Sequence, residues 1–585
     1  MELLSSTVRR PLRQRLVRPG LLALYFPACL LLGAFFFYPL LKVGLISVDA
    51  PHFTLAHYAE FLTDPVNIQV TTRTVELTAY VTTLTLALGY PTAAFLSSLS
   101  QRAQRILLVC VAVPYLTSLL VRTYAWVLIL GDDGAINHLL LAAGWISDPL
   151  PLLYSRFGML LGTVHVMLPM MVLPLYASMQ RLDRSLLRAA RSLGGGALQT
   201  FFRVYLPQTM PGVRSGCTLV FVVSLGLYII PMALGGLGDV MLSTMIAQQV
   251  TTAGNFSMAA VMALALLAVA AVVFLSLRVS TRLFLTATRT TAQSSAARPT
   301  LLVRMTASLA CRLRARCLNR PAASGSAGVV LLGVTGVSTL VFLVLPSVIV
   351  LVVSFGNADM ISFPPAGLSF RWYASFFHSP EWLGASWLSA RIAALSTAVA
   401  LTVGTMAAFA SNRVPNLKVR AFASGALMVP LVIPPVVFAI GSFSVLASWG
   451  MVGTTPALVF VHACLCVPLV VVVMSGALAG FDQRLERASL SLGHSRISTL
   501  FRVVLPLMLP AVFAAALFSF VTSFDEVVVT SFIAGDAVRT LPLKMFEDVR
   551  NQVDPTIAAV SALLIGVPFL CLPFIGALGG RSRKA

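Results

Sequence analysis

Apolar runs of about twenty residues recur along the sequence, broken by short polar or glycine-rich stretches. A helical run of that length crosses roughly 30 Å of hydrocarbon. The pattern predicts twelve spans, near residues 21–47, 74–97, 106–130, 158–178, 212–235, 257–277, 328–354, 386–411, 421–447, 454–478, 511–534 and 556–579. The first run is too long for a cleaved signal peptide and lacks a small-residue cleavage site after it, so it is expected to stay in the protein as a span. The fold class expected is an all-α polytopic membrane protein.

Composition agrees with that expectation. Of 585 residues, 58% are hydrophobic and 10% charged, more apolar surface than a single soluble core could hide. The net charge of +21 could suggest a nucleic-acid partner, but its placement argues against one. With the N-terminus in the cytoplasm, 32 of the 41 basic residues fall on the inner side, in the N-terminal tail, the inner loops, residues 278–320 and the C-terminal tail. Asp183, Asp482, Glu486 and Glu2 are the only acids there. That is the bias of cytoplasmic loops in a membrane protein, with both termini inside. His462, Cys464 and Cys466 look like metal ligands by composition. Residues two apart on a helix point about 200° away from each other, so they read as packing residues and no metal site is expected.

Residues 285–326, rich in Arg, Ser, Thr and Ala, interrupt the hydrophobic pattern and read as a basic cytoplasmic linker. It separates a first half, 1–284, from a second, 327–585, each with six spans. The halves repeat. Asp183 and Asp482, Gly194 and Gly493, Pro207 and Pro506, Pro211 and Pro510, and Ser224 and Ser523 are all offset by 299. Tyr58 and Tyr373, and Gly89 and Gly404, are offset by 315, and Pro114 and Pro430 by 316. The change in offset places a longer outer loop in the first half, near 131–157. An even number of spans per half makes the repeats parallel, with a central pathway between them.

The most specific pattern lies in the inner loop between the fourth and fifth spans of each half, 181–212 and 482–510. The copies read RAARSLGGGALQTFFRVYLPQTMPG from 188 and RASLSLGHSRISTLFRVVLPLMLP from 487. Ala189, Ala190 and Ala488 favour helix without bulk, leaving room for close approach by a partner. Gly194 and Gly493 permit a turn with positive φ. Leu206-Pro207 and Leu505-Pro506 are expected to close the second helix before the chain re-enters the membrane. These residues resemble the EAA loop of ABC importer permeases, and the whole resembles the type I permease fold. The resemblance implies that Arg188, Ala189, Ala190, Gly194, Leu206, Pro207, Arg487, Ala488, Gly493, Leu505 and Pro506 dock a cytoplasmic ABC ATPase dimer. Arg188 and Arg487 stand where the family pattern opens with glutamate, with Glu486 one place earlier in the second copy. No G-x-x-x-x-G-K-[ST] occurs, so no ATP-binding or other cofactor site is expected in this chain; a separate subunit would bind ATP.

RTYAW at 122–126, the stretch 155–179, FDEVVVTSF at 524–532 and RTLPLKMF at 539–546 resemble permeases of the spermidine/putrescine type. That resemblance implies import of a polyamine handed over by a periplasmic solute-binding protein, across the bacterial inner membrane. Asp525 and Glu526 suit a cationic cargo independently, since an ionisable residue well inside a span usually lines a polar cavity. Tyr124, Trp126 and Tyr228 offer ring faces for an ammonium group. The competing role for either acid is an ion pair with Arg122 or Arg391 that holds helices together. Glu76 is a weaker candidate for substrate contact. Relatives with these motifs also carry opines, amino-acid-like compounds, aminophosphonates or ferric iron. An ion-gradient-driven transporter could also have parallel repeats, but would not need paired docking loops.

Overall fold

A computed structural model describes residues 19–293 and 325–567, apart from 360–362, 366, 536 and 552–553. Its regular elements are helices; among the described residues the only β pairing is an isolated bridge between Gly356 and Leu368. In the first half these include α1 (Leu21–Ser47), α2 (Pro65–Ser98), α3 (Gln101–Leu116), α4 (Leu119–Leu130), α5 (Arg156–Gln180) and α6 (Arg184–Ser192). Then come α7 (Leu206–Leu225), α8 (Ile229–Leu234), α9 (Leu242–Thr251) and α10 (Phe256–Gln293). The second half repeats the order with α11 (Gly325–Val353), α12 (Pro380–Arg413), α13 (Leu417–Met428), α14 (Pro435–Ser448), α15 (Thr455–Ala479) and α16 (Gln483–Ser491). It continues with α17 (Leu505–Phe524), α18 (Val528–Ile533), α19 (Leu541–Asn551) and α20 (Thr556–Val567).

Nine described helices are long and apolar enough to cross a bilayer, or ten counting the bent pair α13 and α14. The expected fifth span, α7, carries Arg214 and is not among the nine. The expected twelfth is described only as far as residue 567. Most of the expected linker, 294–324, lies outside the described residues, and 285–293 continue α10.

Four of the expected spans are broken rather than straight. The third span of each half breaks, at Thr117-Ser118 and before Pro434-Pro435, and the second of these breaks bends the helix pair by 93°. The fifth span of each half breaks as well, after Gly226 and after Asp525. Thr117 and Ser118 are extended, with ψ of 143° and 138°, which ends one helix and lets the Ser118 hydroxyl cap the next. In the second half Pro434 and Pro435 impose the same stop, because proline lacks the N–H that would continue a helix.

The Leu-Pro pairs do not close a helix, contrary to the expectation from sequence. In each copy the chain from the glycine turn runs on into the fifth span through a π turn, at Phe201–Tyr205 and Leu500–Val504. There the N–H of Leu206 bonds to the Phe201 carbonyl and that of Leu505 to the Leu500 carbonyl, five residues back. The widened turn takes up the following proline, which has no donor of its own and would crowd an α-helical turn. The same device recurs at Gly33–Phe37, ahead of Pro39.

The repeat holds to the level of single hydrogen bonds. Ser47 bonds Tyr58 at 2.8 Å, as Ser354 bonds Tyr373 at 2.7 Å. The Leu242 N–H donates to Thr74 at 2.8 Å, as the Leu541 N–H donates to Ser389 at 2.7 Å. The first span of each half packs against the other half. α11 lies on α2, α3, α4 and α5, and α1 reaches α12, α14 and α15. Glycines allow these crossings: a Cβ on Gly441 would stand 2.6 Å from the Pro39 carbonyl oxygen, and one on Gly336 2.5 Å from the Phe95 ring. Hydrogen bonds accompany the packing, His165 Nε2 to the Leu343 carbonyl at 3.1 Å and Tyr25 Oη to Ser411 Oγ at 3.1 Å.

Candidate docking helices and the seam between the halves

Each of the two matched loops between the fourth and fifth spans begins with an aspartate cap. Asp183 accepts from the Ser185 N–H at 2.8 Å and Asp482 from the Arg484 N–H at 2.9 Å, which starts α6 and α16. The Ser185 N–H holds the Asp183 carboxyl below the usual carboxylate range. Both helices end on glycine in the left-handed region, Gly194 at φ +81° and Gly493 at +90°. The next N–H turns back five residues, from Gly195 to the Ala190 carbonyl and from His494 to the Ser489 carbonyl. That closes the last turn of each helix and turns the chain toward the fifth span.

Arg188, Ala189, Arg487 and Ala488 are exposed on these helices, and Ala190 is half-buried. Each helix also displays leucines seven residues apart, and therefore on one face. Leu186 and Leu193 are 46% and 89% exposed, and Leu485 and Leu492 are 47% and 80% exposed. The two helices are tied to the second span of their own half by different chemistry. Arg184 donates to the Ser97 carbonyl at 2.6 Å, whereas Glu486 accepts both guanidinium nitrogens of Arg413, at 2.9 and 2.6 Å. Glu486 is thus turned toward the chain's own membrane base. Leu206, Pro207, Leu505 and Pro506 sit at the junction of the π turn and the fifth span.

The acids of the fifth span are both spent on helix N-termini. The Asp525 carboxylate accepts the Leu119 N–H at 3.1 and 2.9 Å and also the Ser118 hydroxyl, so it caps α4 of the other half. Glu526 accepts the N–H groups of Val529 and Thr530 at 2.8 and 2.9 Å, capping α18 just ahead of it. Beside it, His462 bonds Ser523 at 2.9 Å and Thr530 at 3.0 Å. Among the described residues neither acid forms an ion pair with Arg122 or Arg391. Buried Arg122 instead reaches the carbonyls of Ser118 and Val166. No described cluster of His, Cys, Asp and Glu could hold a metal.

The aromatic candidates separate. Tyr124 and Trp126 are buried, and the Trp126 ring packs on His165 and on Phe342 of α11, each at 5.5 Å. Tyr228 meets Phe546 at 5.8 Å and lines a cavity of about 230 Å³ beside Met232, Thr244, Gln248 and Thr251. Glu76 pairs with Arg156 at 3.1 Å on the exposed surface. Sequence reasoning missed the partners of the breaks, Ser118-Leu119 and Pro434-Pro435. Their signal is the unmatched pair Gly226 and Asp525 at equivalent positions.

Two matched helical halves, each with its first span on the other and an exposed short helix between its fourth and fifth spans, make a multi-span membrane component. The chain belongs to the family of binding-protein-dependent transport system inner membrane components, whose pattern matches residues 85–285 and 400–579. A spermidine/putrescine transport system permease protein, PotB of Salmonella typhimurium strain SL1344, is 37% identical over 197 residues, 34% of this chain and 68% of that protein. PotC of Escherichia coli K12, from a system of the same name, is 33% identical over 224 residues, 38% of this chain and 84% of that protein. A chain in the crystal structure of a bacterial alginate ABC transporter, in complex with a periplasmic protein bound to an alginate pentasaccharide, aligns with a TM-score of 0.38. It has 16% identity, over 44% of this chain and 92% of that one.

Proposed function

We propose that this chain forms both halves of the membrane pathway of a polyamine importer, carrying spermidine, putrescine or similar amines into the cytoplasm. Separate ABC subunits that hydrolyse ATP dock on α6 and α16, and a periplasmic binding protein delivers the cargo. On this reading both termini lie in the cytoplasm, and halves 1–284 and 327–585 are joined by the linker 285–326. The carrying observation is the matched pair of protruding helices, each capped by aspartate, stopped by a left-handed glycine and fused to a fifth span. Likeness to PotB and PotC supports the cargo. The two acids of the fifth span support it less directly, since their oxygens are already engaged by backbone N–H groups.

The test is uptake of labelled spermidine by cells lacking their own polyamine importers. The chain is expressed with an ATP-hydrolysing subunit and a binding protein of the spermidine/putrescine type. Uptake is expected only with all three present, and vanadate should stop it. Gly194→Pro with Gly493→Pro should abolish uptake and association with the ATPase at unchanged membrane level, because proline cannot take φ near +80° to +90°. Normal association of that double variant would contradict the docking role, and solute movement in liposomes without an ATPase would contradict the importer reading.

A further inference from the structure

The broken third span of each half meets the broken fifth span of the other, and the two contacts are images of each other. Ser118 and Leu119 face Asp525; Pro434 and Pro435 face Gly226. Residues 118 and 434 share the offset of Pro114 and Pro430, and residues 226 and 525 share the offset of the docking loops. The backbones agree closely. Gly226 has φ −91° and ψ 3°, Asp525 φ −85° and ψ −3°. Ser118 has φ −48° and ψ 138°, Pro434 φ −55° and ψ 133°.

The chemistry, by contrast, is opposite at the two contacts. At the first, a free N–H and a hydroxyl are satisfied by a carboxylate. At the second, two prolines offer no N–H, and a Cβ on Gly226 would stand 2.8 Å from the Pro434 Cβ. A carboxylate at 226 would have neither donors nor room. A glycine at 525 would leave the Leu119 N–H unpaired inside the protein. Each residue suits only the partner it has.

We propose that Asp525 is a positioning residue holding one edge of a two-edged seam between the halves, and that each edge is matched as a set: carboxylate with free N–H, glycine with Pro-Pro. The helix that ends at Asp525 is continuous from Leu500, next to the second glycine turn. Movement imposed at the docking helix therefore arrives at the seam along one rod and crosses into the first half there.

The test transplants one edge onto the other. Asp525→Gly should lower the maximal rate of spermidine uptake roughly five- to tenfold at equal membrane level, with KM unchanged, as expected for losing a helix cap. Adding Ser118→Pro and Leu119→Pro should restore the rate to within about twofold of the starting protein, because Thr117 and Ser118 are already extended as residues before proline require. Asp525→Asn keeps an acceptor for the Leu119 N–H and should retain more uptake than Asp525→Gly. A carboxylate acting on the cargo's charge would lose as much with Asn as with Gly. A triple variant no better than Asp525→Gly, or full uptake by Asp525→Gly alone, would overturn the proposal. The uptake arm rests on the polyamine reading, and a starting protein without spermidine uptake would sink that reading while leaving the seam untouched. Hydrogen exchange on the purified chain needs no cargo. Asp525→Gly, or Asp525→Asn if the glycine variant fails to accumulate, should speed exchange across 119–122 and leave 436–440 unchanged. Unchanged exchange at 119–122 would also overturn the proposal.

Discussion

At the scale of single residues, Glu486 shows how the same letters can serve another end. In the sequence it sits one place before Arg487, where an acid opens the family pattern, and it invites reading as a displaced contact for a partner. In the structure its carboxylate grips Arg413 at the C-terminal end of α12 through two hydrogen bonds, with a third of the Arg413 side chain and a fifth of the Glu486 side chain exposed. The fork geometry makes the pair more specific than an ordinary surface bridge, although partial solvation limits it to about 1 kcal/mol. Glu486→Ala and Arg413→Ala should each weaken ATPase association measured by pull-down, and the double variant should lose no more than either single one. Additive losses would show that the two side chains act separately. The anchor was not readable beforehand, because its equivalent in the first half is Arg184 on a backbone carbonyl, so no repeated pair of letters marks it.

At the scale of elements, hydropathy located the spans but not their breaks. The runs 212–235 and 511–534 read as single helices because Gly226 and the adjoining acids interrupt them by only one or two positions. What faces each break lies on the other half, the Leu119 N–H at Asp525 and Pro434 at Gly226, and a pattern along one chain segment does not register that. The π turns were hidden for a related reason. A Leu-Pro pair reads as a stop, yet one widened turn removes the need for the missing donor. Helix crossings were more legible, since Gly89 and Gly404 already stood out as a repeated pair. Their surroundings differ in a way that can be measured. A Cβ at 89 would stand 2.9 Å from the Met171 Cγ, and one at 404 2.8 Å from both Cβ and Cγ1 of Val470. Methionine can rearrange its unbranched chain, whereas valine is branched at the contact. Gly404→Ala should therefore destabilise by about 1–3 kcal/mol and Gly89→Ala by clearly less, read as thermal unfolding in one detergent. Equal shifts would mean that the helices part to make room and that side-chain stiffness does not decide the outcome.

At the scale of the whole molecule, the repeat in the sequence suggests two bodies side by side, but the first spans are exchanged. α11 follows the linker region and packs on helices of the first half, and α1 packs on helices of the second as well as on α10 of its own. Letters alone do not show this exchange, since an apolar span presents similar surface to either half. Its consequence is that the halves share contacts of their own besides the covalent link. Close crossings at Gly336 and Gly441, the His165 bond to Leu343, the Tyr25 bond to Ser411 and the Asp525 cap all cross between halves. In lipid, where apolar surfaces gain little from meeting one another, such close packing and hydrogen bonds hold helices together. Two separate chains, 1–300 and 318–585, co-expressed with a tag on the first, should therefore copurify in mild detergent and retain spermidine uptake with the same partner subunits. Gly336→Leu and Gly441→Leu together should abolish that copurification while each chain still inserts. If the split chains separate without those substitutions, the linker carries the assembly; if they copurify with them, the exchanged spans do not hold the halves.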